Sequence, residues 1–270
     1  MRTFFIAPVI VLCVLSIVGC SGPNRPVWAS WHPNSWTHRG GADEAILLDV
    51  AGPVAVDVES FNGDVMIMAN PKLSQAQVVV VREGVHGFRR EKEAAASLVD
   101  ISYTAEIVPG ELGQMLQVRT STTNAEPHYQ RAHVYIQLPE IEGVKVRTSN
   151  GRVYAQGISG AVDIVTNHGD VRVMTNHPMT APVTIVNRNG NIDYRVRGES
   201  RGVFDAETVN GVARVRVRHG KFTTLPPTTN STVHGVLNEG ENRITLRTVN
   251  GDIRIAVVHD PERVGAVIIG

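Results

Sequence analysis

Basic side chains are concentrated between positions 195 and 221. Arg214, Arg216 and Arg218 occupy alternate positions, so an extended strand would place them on one face. Guanidinium groups bind carboxylates and phosphates through paired hydrogen bonds. The spacing therefore predicts a binding stripe for an anionic ligand, such as the acidic groups of a polysaccharide or a lipid head group. A solvated strand face would show the same alternation. The other basic residues of this run are Arg195, Arg197, Arg201 and Lys221.

Acidic side chains recur beside a repeated glycine. Asp64, Asp170 and Asp252 each directly follow such a glycine, and Asp163 and Asp193 lie close in sequence. Repeated carboxylates can bind Ca²⁺, but the sequence lacks the paired glycines and closely spaced aspartates of calcium-binding β-rolls. A short polar side chain after a turn glycine more often stabilises the turn itself. We therefore expect these aspartates to stabilise turns, and we predict neither a metal nor another cofactor.

A catalytic role is the main alternative interpretation of the same residues. Right-handed β-helical lyases and hydrolases place carboxylates and basic groups on adjacent coils, and Asp163, Asp170, Asp193 and Arg172 could supply such a site. No nucleophile elbow, Walker-type loop, zinc-protease helix or paired-cysteine metal motif occurs in the sequence. We expect a non-catalytic protein, with a carbohydrate-active β-helix enzyme and a purely structural envelope component as the alternatives.

The first 20 residues suit export and lipid attachment. Arg2 supplies positive charge, an apolar core covers residues 4–18, and the junction reads Ile17-Val18-Gly19-Cys20. This junction resembles the lipobox of bacterial lipoprotein signal peptides, in which a cysteine is acylated and becomes the new N-terminus. The resemblance implies a signal peptide over residues 1–19 and a membrane anchor through a lipid on Cys20. An ordinary cleaved signal or a single membrane anchor is the alternative.

The residues around Cys20 also bear on redox state and location. The second cysteine, Cys13, lies in the apolar signal core, so the mature chain can form no internal disulfide and must be stabilised by packing. Ser21 is compatible with transport to an outer membrane, because the usual retention signal of well-studied lipoproteins is an aspartate at that position. We expect a lipoprotein of the cell envelope, in the outer membrane if the organism has one, with its folded part periplasmic or extracellular.

Residues 20–43 are interpreted as a lipidated tether. They are rich in Pro, Gly, Asn and Ser and follow neither a helical nor a strand period. All three tryptophans, Trp28, Trp31 and Trp36, lie in or close to this tether. They could form an aromatic platform for a sugar or for the membrane interface, or they could fold back onto the domain.

A repeat encodes the elements that would position these residues. Each copy has Asn-Gly or a close variant at its centre, with apolar residues five positions before the glycine and two and four positions after it. A threonine or a similar polar residue stands three positions before. The apolar residues alternate on each side, which predicts a half-buried strand on each side. The copies are centred on Gly63, Gly151, Gly169, Gly190, Gly211 and Gly251.

The buried positions change parity at the glycine, so the chain must turn there. Asn-Gly adopts positive φ readily, which suits either a solenoid corner or a hairpin turn. The glycines from 151 to 211 are about one coil apart. We therefore predict an all-β fold in which residues 143–270 form a β-solenoid resembling a single-stranded β-helix. An antiparallel hairpin array or β-sandwich is the alternative.

Two finer expectations follow from stacking the copies in sequence order. His234-Gly235-Val236 would be a degenerate copy between the units of Gly211 and Gly251. Arg172, Asp193 and Arg214 share the third position after the glycine, so they would lie on adjacent rungs with alternating charge. Such pairs contribute a few tenths of a kcal/mol and discourage slips of register.

Residues 44–142 are predicted to form an N-terminal β segment with one helix. The helix is expected over residues 88–98, where Arg89 and Glu93 have the spacing of an ion pair. Strand 78–81 is short enough to be buried on both faces. Residues 101–107 and 115–120 suggest a hairpin, and 120–126 a loop. Further strands are expected at 46–50, 54–58 and 133–138.

The order of these units resembles a known family. The chain begins with a unit at Asn62-Gly63-Asp64, followed by one helix, a hairpin and a strand ending at Leu138-Pro139, and then has serial units such as Asn250-Gly251-Asp252. This order is similar to that of the bacterial putative-adhesin family. This is a family of β-strand-repeat envelope proteins whose domain has no known function. The resemblance covers the chain from residue 46 onward. It implies a β-solenoid-like fold and transfers no catalytic residue.

Composition narrows the function classes further. The formal net charge is +0, whereas a general nucleic-acid binder carries a strong basic excess. The sequence thus predicts a lipid-anchored envelope protein whose β-repeat scaffold acts as an adhesin or as a binding module for an envelope polymer. Its expected partners are the membrane, an envelope polysaccharide or another surface protein, and no nucleic acid.

Overall fold

The computed structural model describes residues 38–42, 45–87, 89–111 and 113–263. The predicted signal peptide, the lipidation site Cys20 and the tryptophans Trp28, Trp31 and Trp36 lie outside these residues.

The described strands form two sheets, here called sheet I and sheet II and numbered in chain order. Sheet I contains, in spatial order, β1 (His38–Ala42), β5 (Gln75–Gly84), β8 (Gln130–Leu138), β4 (Val65–Ala69), β10 (Val153–Gln156), β12 (Val171–Met174), β14 (Ile192–Arg197), β20 (Ile253–Val258) and β16 (Ala213–Val217), with β2 (Ile46–Asp49) also paired to β5. Sheet II contains β17 (Phe222–Thr224), β18 (Thr232–Leu237), β15 (Gly202–Asn210), β19 (Arg243–Asn250), β13 (Val183–Asn189), β11 (Val162–His168), β9 (Ile141–Asn150), β3 (Val54–Asn62), β7 (Gly113–Thr122) and β6 (Ile101–Gly110).

Each Asn-Gly unit forms one coil of a solenoid. A strand of sheet II leads into the glycine corner, and the next strand continues in sheet I. We name each coil after its glycine. The coils are β3–β4 (Gly63), β9–β10 (Gly151), β11–β12 (Gly169), β13–β14 (Gly190), β15–β16 (Gly211) and β19–β20 (Gly251).

Neighbouring coils pair in parallel and in the register that the repeat predicts. Val153 lies beside Val65 on one side and Val171 on the other, and Ile192 lies beside Val171 and Ile253. Identical positions therefore stack from coil to coil. The solenoid prediction is confirmed, and the alternative of an antiparallel hairpin array is wrong for the Asn-Gly units.

One apolar core lies between the two sheets. Val153, Val171, Ile192 and Ile253, two positions after their glycines, are at most 1% exposed. The positions four after and five before the glycine are buried in the same way, with Val215 of the Gly211 coil only partly so. Full burial of one such side chain stabilises the fold by roughly 1.5–3 kcal/mol. The change of parity at the corner follows directly, because both strands of a coil face this shared interior.

The coils do not stack in sequence order. The Gly251 coil pairs with the Gly190 coil on one side and with the Gly211 coil on the other. The last coil of the sequence is thus inserted ahead of the preceding one. This arrangement follows from β18, which folds back antiparallel on the outer edge of β15 and leaves only the inner edge free for β19.

Antiparallel strands close both ends of the stack. At one end β5 pairs with β8 and β6 pairs with β7, and at the other β18 pairs with β15 and β17 with β18. Terminal units that differ from the repeat are expected in solenoids, because they protect the end of the core. The predicted degenerate copy at His234-Gly235-Val236 is wrong, since these residues lie within strand β18.

The hairpin predicted over residues 101–120 is confirmed as β6 and β7. Its second strand has a further role that the sequence did not predict. β7 and β8 together form a coil without Asn-Gly, pairing in parallel with β3 and β4. Part of the predicted loop 120–126 belongs to β7, and a 3₁₀ turn, Pro127–Tyr129, forms the rest of the corner. Strand β5 is longer than expected and buries one face only.

The single helix of the described residues is α1 (Glu91–Ser97), followed by a 3₁₀ turn, Leu98–Asp100. It begins later than predicted because Arg89 has a φ of 62°, which a right-handed helix does not accept. The ion pair in its first turn joins Arg90 to Glu93 at 2.5 Å. Seven residues are far too few to cross a bilayer, and the described part contains no longer helix.

Candidate functional site

The corners are built from equivalent residues that stack from coil to coil. The asparagine before each glycine bonds to the equivalent asparagine of the next coil, as in Asn150 Nδ2 to Asn62 Oδ1 at 2.5 Å, Asn250 Nδ2 to Asn189 Oδ1 at 2.6 Å and Asn210 Nδ2 to Asn250 Oδ1 at 2.8 Å. His168 occupies this column in the Gly169 coil and interrupts the ladder. The ladder holds the corners in register.

The glycines stack so closely that a side chain would not fit between them. A Cβ placed on Gly169 would lie 2.1 Å from the carbonyl oxygen of Gly151, and one on Gly251 would lie 2.2 Å from that of Gly190. Both glycines also have positive φ, of 123° and 149°. In the Gly190, Gly211 and Gly251 coils, the polar residue three positions before the glycine bonds to a glycine carbonyl of the adjacent coil, as in Thr248 Oγ1 to Gly190 O at 3.0 Å. In the other three coils the equivalent residue bonds to a main-chain oxygen of its own coil.

The aspartates after the glycine stabilise the corners, as predicted. Asp64, Asp170 and Asp252 each accept a hydrogen bond from a main-chain N–H of the adjacent coil, at 2.8, 2.8 and 3.0 Å. Asn191 does the same for the N–H of Asp252 at 2.8 Å. These carboxylates are therefore engaged in hydrogen bonds between adjacent corners. Among the described residues no group of three or more His, Cys, Asp or Glu side chains is arranged to hold a metal.

The three carboxylates of the alternative catalytic site are not brought together. Asp163 lies on β11 in sheet II and pairs with Arg147, whereas Asp193 lies on β14 in sheet I and pairs with Arg172 at 3.1 Å. Asp170 lies at the corner between the sheets. Both strand aspartates point outward from opposite sides of the core, so the three carboxylates cannot act on one substrate.

The prediction that Arg172, Asp193 and Arg214 alternate in charge along sheet I is correct for the first pair and wrong for the second. Arg172 and Asp193 lie on adjacent rungs and form the expected ion pair. Asp193 also receives two hydrogen bonds from Arg195, at 2.9 and 2.7 Å. Arg214, however, is not adjacent to Asp193, because the Gly251 coil lies between them and places Arg254 beside both. Charges therefore do not alternate at this end.

The predicted stripe lies on the last strand of sheet I. Arg214, Arg216 and Arg218 point outward from β16 or its end, with Arg214 and Arg218 exposed and Arg216 half-buried. Within the described part of the chain, β16 pairs with β20 only. We call these three residues the arginine row. The side chains of the row make no hydrogen bond or ion pair with another described residue. Arg197 and Lys221, by contrast, pair with Glu199 at 2.8 Å and Glu239 at 3.8 Å.

A pocket at the same end of the molecule was not predicted. It lies on the outer side of sheet II and has a volume of about 490 Å³. Its floor is β15, and its sides are β18, the segment after β17 and the start of β19. Its charged residues, Asp205, Glu241 and Arg243, come from β15 and from the start of β19 and the residues just before it. The lining residues are Val203, Phe204, Asp205, Leu225, Pro226, Pro227, His234, Glu241 and Arg243. Only the antiparallel return of β18 brings His234 beside Asp205, and the repeat pattern does not encode that return.

The carboxylate of Asp205 in this pocket is contacted by two arginine side chains. Arg247 donates to its Oδ2 at 2.6 Å, and Arg243 lies 3.5 Å from the same oxygen. Burial raises the pKa of Asp205, but the hydrogen bond and charge of Arg247, the charge of His234 and the hydrogen bond of Arg243 outweigh it, so this pKa lies below its ordinary value. The carboxylate is therefore ionised at neutral pH, with Oδ2 held by the two arginines and Oδ1 buried.

Comparison with known proteins agrees with this architecture. The Toastrack DUF4097 family model matches residues 113–256. No curated protein matches the chain.

Among solved structures, the chain is similar to a putative cell adhesion protein from Clostridium sporogenes ATCC 15579. The two share 12% identity with a TM-score of 0.56, over 82% of this chain and 99% of that one. At this identity the likeness shows the fold alone. Weaker likenesses are to a putative adhesin from Bacteroides fragilis NCTC 9343 (11% identity, TM-score 0.30, 79% and 97% covered) and one from Parabacteroides merdae ATCC 43184 (9%, 0.25, 83% and 97%).

The family match includes the glycine corners from Gly151 to Gly251 and the coil formed by β7 and β8. It covers more than half of the 270 residues. The chain therefore belongs to the Toastrack DUF4097 family, a family of unknown function, as the order of its Asn-Gly units had indicated.

Proposed function

We propose that this protein is a non-catalytic binding module of the bacterial cell surface, anchored through a lipid on Cys20, that binds an anionic envelope polymer through the arginine row. The names of the similar solved structures, which refer to cell adhesion, support a surface role. The separation of Asp163, Asp170 and Asp193 supports a binding function over a catalytic one.

The observation that carries the proposal is the absence of partners for the arginine row in the described part of the chain. Arg172 and Arg195 on the same sheet bind Asp193, and Arg119, Arg147 and Arg247 on sheet II each bind an aspartate. The three guanidinium groups of the row have no such acid. Their positive charges are not neutralised locally, so they attract an external anion.

The geometry of the row suits an extended ligand. Alternate residues of a strand are about 6.5–7 Å apart, so three guanidinium groups can contact successive acidic groups of one polymer chain. Arg254 lies beside Arg214 on the neighbouring rung and widens the positive surface. Arg254 also lies 3.6 Å from Asp252, which reduces its contribution. Because the row is exposed, salt should weaken the binding strongly.

Binding of acidic polymers tests the row. The chain from residue 20 onward with Cys20→Ala would be titrated with polygalacturonate and with polyphosphate, and with dextran as the neutral comparison. We expect the acidic polymers to bind and the triple change Arg214→Ser, Arg216→Ser and Arg218→Ser to weaken binding at least about tenfold, which equals about 1.4 kcal/mol.

The matched control changes Arg188, Arg201 and Arg263 to serine. These residues are exposed and lie outside the row, so this variant loses the same charge. It should bind nearly as the parent does. Equal weakening by both triple variants would show that net charge alone is responsible, and unchanged binding by the row variant would refute the proposal.

The lipid anchor has its own test. Cys20→Ala in the full chain removes the acylation site, so we expect the protein to leave the membrane fraction while keeping its fold. Ser21→Ala leaves the cysteine intact and serves as the control. Recovery of the Cys20→Ala protein in the membrane fraction would contradict anchoring at this residue.

A further inference from the structure

The outer edge of β16 carries main-chain groups that no described strand pairs with. β16 pairs in parallel with β20 and with no other described strand. The N–H of Arg218 donates to the main-chain oxygen of Val257 at 2.9 Å, so the even-numbered residues of β16 direct their main-chain groups toward β20. Successive residues of a parallel strand direct these groups to opposite edges. Ala213, Val215 and Val217 therefore direct theirs to the free edge.

This free edge is open over most of its length. The N–H of Ala213 donates to the main-chain oxygen of Asn230 at 2.9 Å, which covers the first position. The N–H groups of Val215 and Val217 have no hydrogen-bond acceptor among the described residues. The side chains of these two valines are also only half-buried, whereas the residues that they pair with on β20 are 0% exposed. Two donors and an apolar surface thus lie side by side without a cover.

We propose that the free edge of β16 binds an extended segment of another protein in which acidic and apolar residues alternate. The segment would add one strand to sheet I through main-chain hydrogen bonds, a known mode of peptide recognition. Residues opposite each other on one face of a sheet are about 4.5–5.5 Å apart. The acidic side chains would therefore reach the arginine row, and the apolar ones would cover Val215 and Val217.

The charges of the arginine row favour such a segment over a second copy of this chain. Antiparallel pairing of two β16 strands about Val215 would place Arg214 of one copy opposite Arg216 of the other. Residues in such a non-hydrogen-bonded pair are only about 4.5 Å apart at Cα, and like charges directly opposite each other are destabilising. An acidic residue in the same position would form an ion pair. The row thus discourages self-association and selects an acidic strand.

The other sheet edges in the described part of the chain lack this combination. β6 and β17, the edge strands of sheet II, carry no basic residue. At the opposite end of sheet I, β1 and β2 carry one arginine between them. The inference rests on the proposed function in using the arginine row as the charge contact. It goes further in naming a protein strand, whose main chain forms hydrogen bonds that a polysaccharide cannot form.

Amide hydrogen exchange followed by NMR tests the edge directly. The protein is the chain from residue 20 onward with Cys20→Ala, and the probe is the capped peptide Val-Glu-Val-Glu-Val-Glu-Val. We expect saturating peptide to slow exchange of the Val215 and Val217 amides at least about tenfold. The peptide Glu-Glu-Glu-Val-Val-Val-Val has the same composition without the alternation and should not slow it. Polygalacturonate, which would contact side chains only, should not slow it either.

Backbone methylation of the peptide separates strand addition from charge attraction. The valine N–H groups would face β16 in an antiparallel complex, and the glutamate N–H groups would face it in a parallel one. One peptide is therefore N-methylated at the inner valines and another at the glutamates, which leaves the side chains of both unchanged. We expect one of the two to bind at least about tenfold more weakly than the parent peptide, and the other to bind nearly as the parent does.

Protein variants test the same contacts from the other side. Val217→Pro removes an N–H that β20 does not use, as prolines at sheet edges do, and should weaken peptide binding at least about tenfold. Val217→Ile keeps the N–H and serves as the control. The row variant with Arg214, Arg216 and Arg218 changed to serine should also bind at least about tenfold more weakly. The variant with Arg188, Arg201 and Arg263 changed to serine should bind nearly as the parent does.

Three outcomes would overturn strand addition. The first is peptide binding without protection of the Val215 and Val217 amides. The second is equal binding by the two methylated peptides, whether retained or lost. The third is a dimer in analytical ultracentrifugation whose Val215 and Val217 amides are already protected, which would make a second copy the occupant. Polygalacturonate binding could persist in each case, so these results would leave the polymer proposal standing. Loss of polymer binding with retained protection by the peptide would refute that proposal alone.

Discussion

Glycine is required at a corner mainly because the adjacent coil stacks too closely to admit a side chain. Gly169 has a positive φ of 123°, and Gly113 in the β6–β7 hairpin has one of 143°. The two positions differ in their surroundings, since a Cβ on Gly169 would lie 2.1 Å from a main-chain oxygen whereas one on Gly113 meets no atom within 4 Å. The pair therefore separates the cost of backbone conformation from the cost of close stacking.

Gly169→Ala is predicted to destabilise the protein much more than Gly113→Ala. The hairpin variant should lose about 1–3 kcal/mol, the cost of an unfavourable φ for alanine. The corner variant should lose at least about 2 kcal/mol more, because the adjacent coil must shift to admit the methyl group. Urea unfolding of both variants measures the difference. Equal losses would show that stacking does not restrict the corner.

Tyr194 carries a polar group that the core does not satisfy. Its side chain is 0% exposed and its hydroxyl has no hydrogen-bond partner among the described residues. Burial raises the pKa of Tyr194 above its ordinary value. Tyr154, in contrast, donates its hydroxyl hydrogen to Gln156 at 2.7 Å on the outside of sheet I.

Tyr194→Phe is predicted to stabilise the protein by about 1 kcal/mol, since it removes a buried group that lacks a partner. The advantage should grow above about pH 10, where the unfolded tyrosine loses its proton while the buried one keeps it, so stability with Tyr194 falls as pH rises. Thermal unfolding at pH 7 and pH 10.5 measures both effects. Tyr154→Phe should bring no gain at pH 7, and a loss of stability in Tyr194→Phe would contradict the assignment.

At the scale of the elements, the asparagine ladder fixes the register of neighbouring coils. Asn250 bonds to Asn189 on one side and to Asn210 on the other. His168 stands at the same position between Asn150 and Asn189 and leaves a gap in the ladder. One substitution can therefore break the ladder, and another can complete it.

We predict opposite effects for these two substitutions. Asn250→Ala removes two side-chain hydrogen bonds and should cost about 1–2 kcal/mol, whereas His168→Asn adds bonds to its neighbours and should gain about 0.5–1 kcal/mol. Chemical denaturation of each variant and of the double variant measures the changes. Destabilisation by His168→Asn would mean that the imidazole has a role of its own.

The strands could be predicted from the sequence wherever a coil repeats the Asn-Gly pattern. The parity change at the glycine required a corner, and the buried positions of all six Asn-Gly coils followed from it. The coil of β7 and β8 was missed because it has no glycine at its corner, where Ala132 lies against Gly63. The end strand β18 was mistaken for a coil because Val-His-Gly-Val fits the apolar pattern of both.

At the scale of the whole molecule, the order of the coils could not be predicted. The Gly190, Gly211 and Gly251 coils have the same apolar pattern, so each can stack on any other by its interior positions alone. The choice is made by β18, a strand outside the repeat. The Asp205 pocket depends on the same strand, which explains why the arginine row was proposed from the sequence and the pocket was not.

This order predicts a sequence of folding events. Among the described strands, β15 and β16 have β19 and β20 as their only parallel partners. The pairing joins residues about 40 positions apart, for example Ala206 and Leu246, and such non-local contacts form slowly. In pulse-labelled hydrogen exchange, the amides of β16 should become protected no earlier than those of β20. Earlier protection of β16 would contradict the prediction.

The inserted position of the Gly251 coil restricts how such a molecule can change in length. A solenoid stacked in chain order can be trimmed from its C-terminus one turn at a time, each cut leaving a shorter but intact body. Here, removal of β19 and β20 would excise an inner layer and separate the Gly211 coil, with its arginines and its pocket, from the remainder. Gene duplications that lengthen this scaffold are therefore expected between the Gly151 and Gly190 coils, where neighbours in the chain are also neighbours in space.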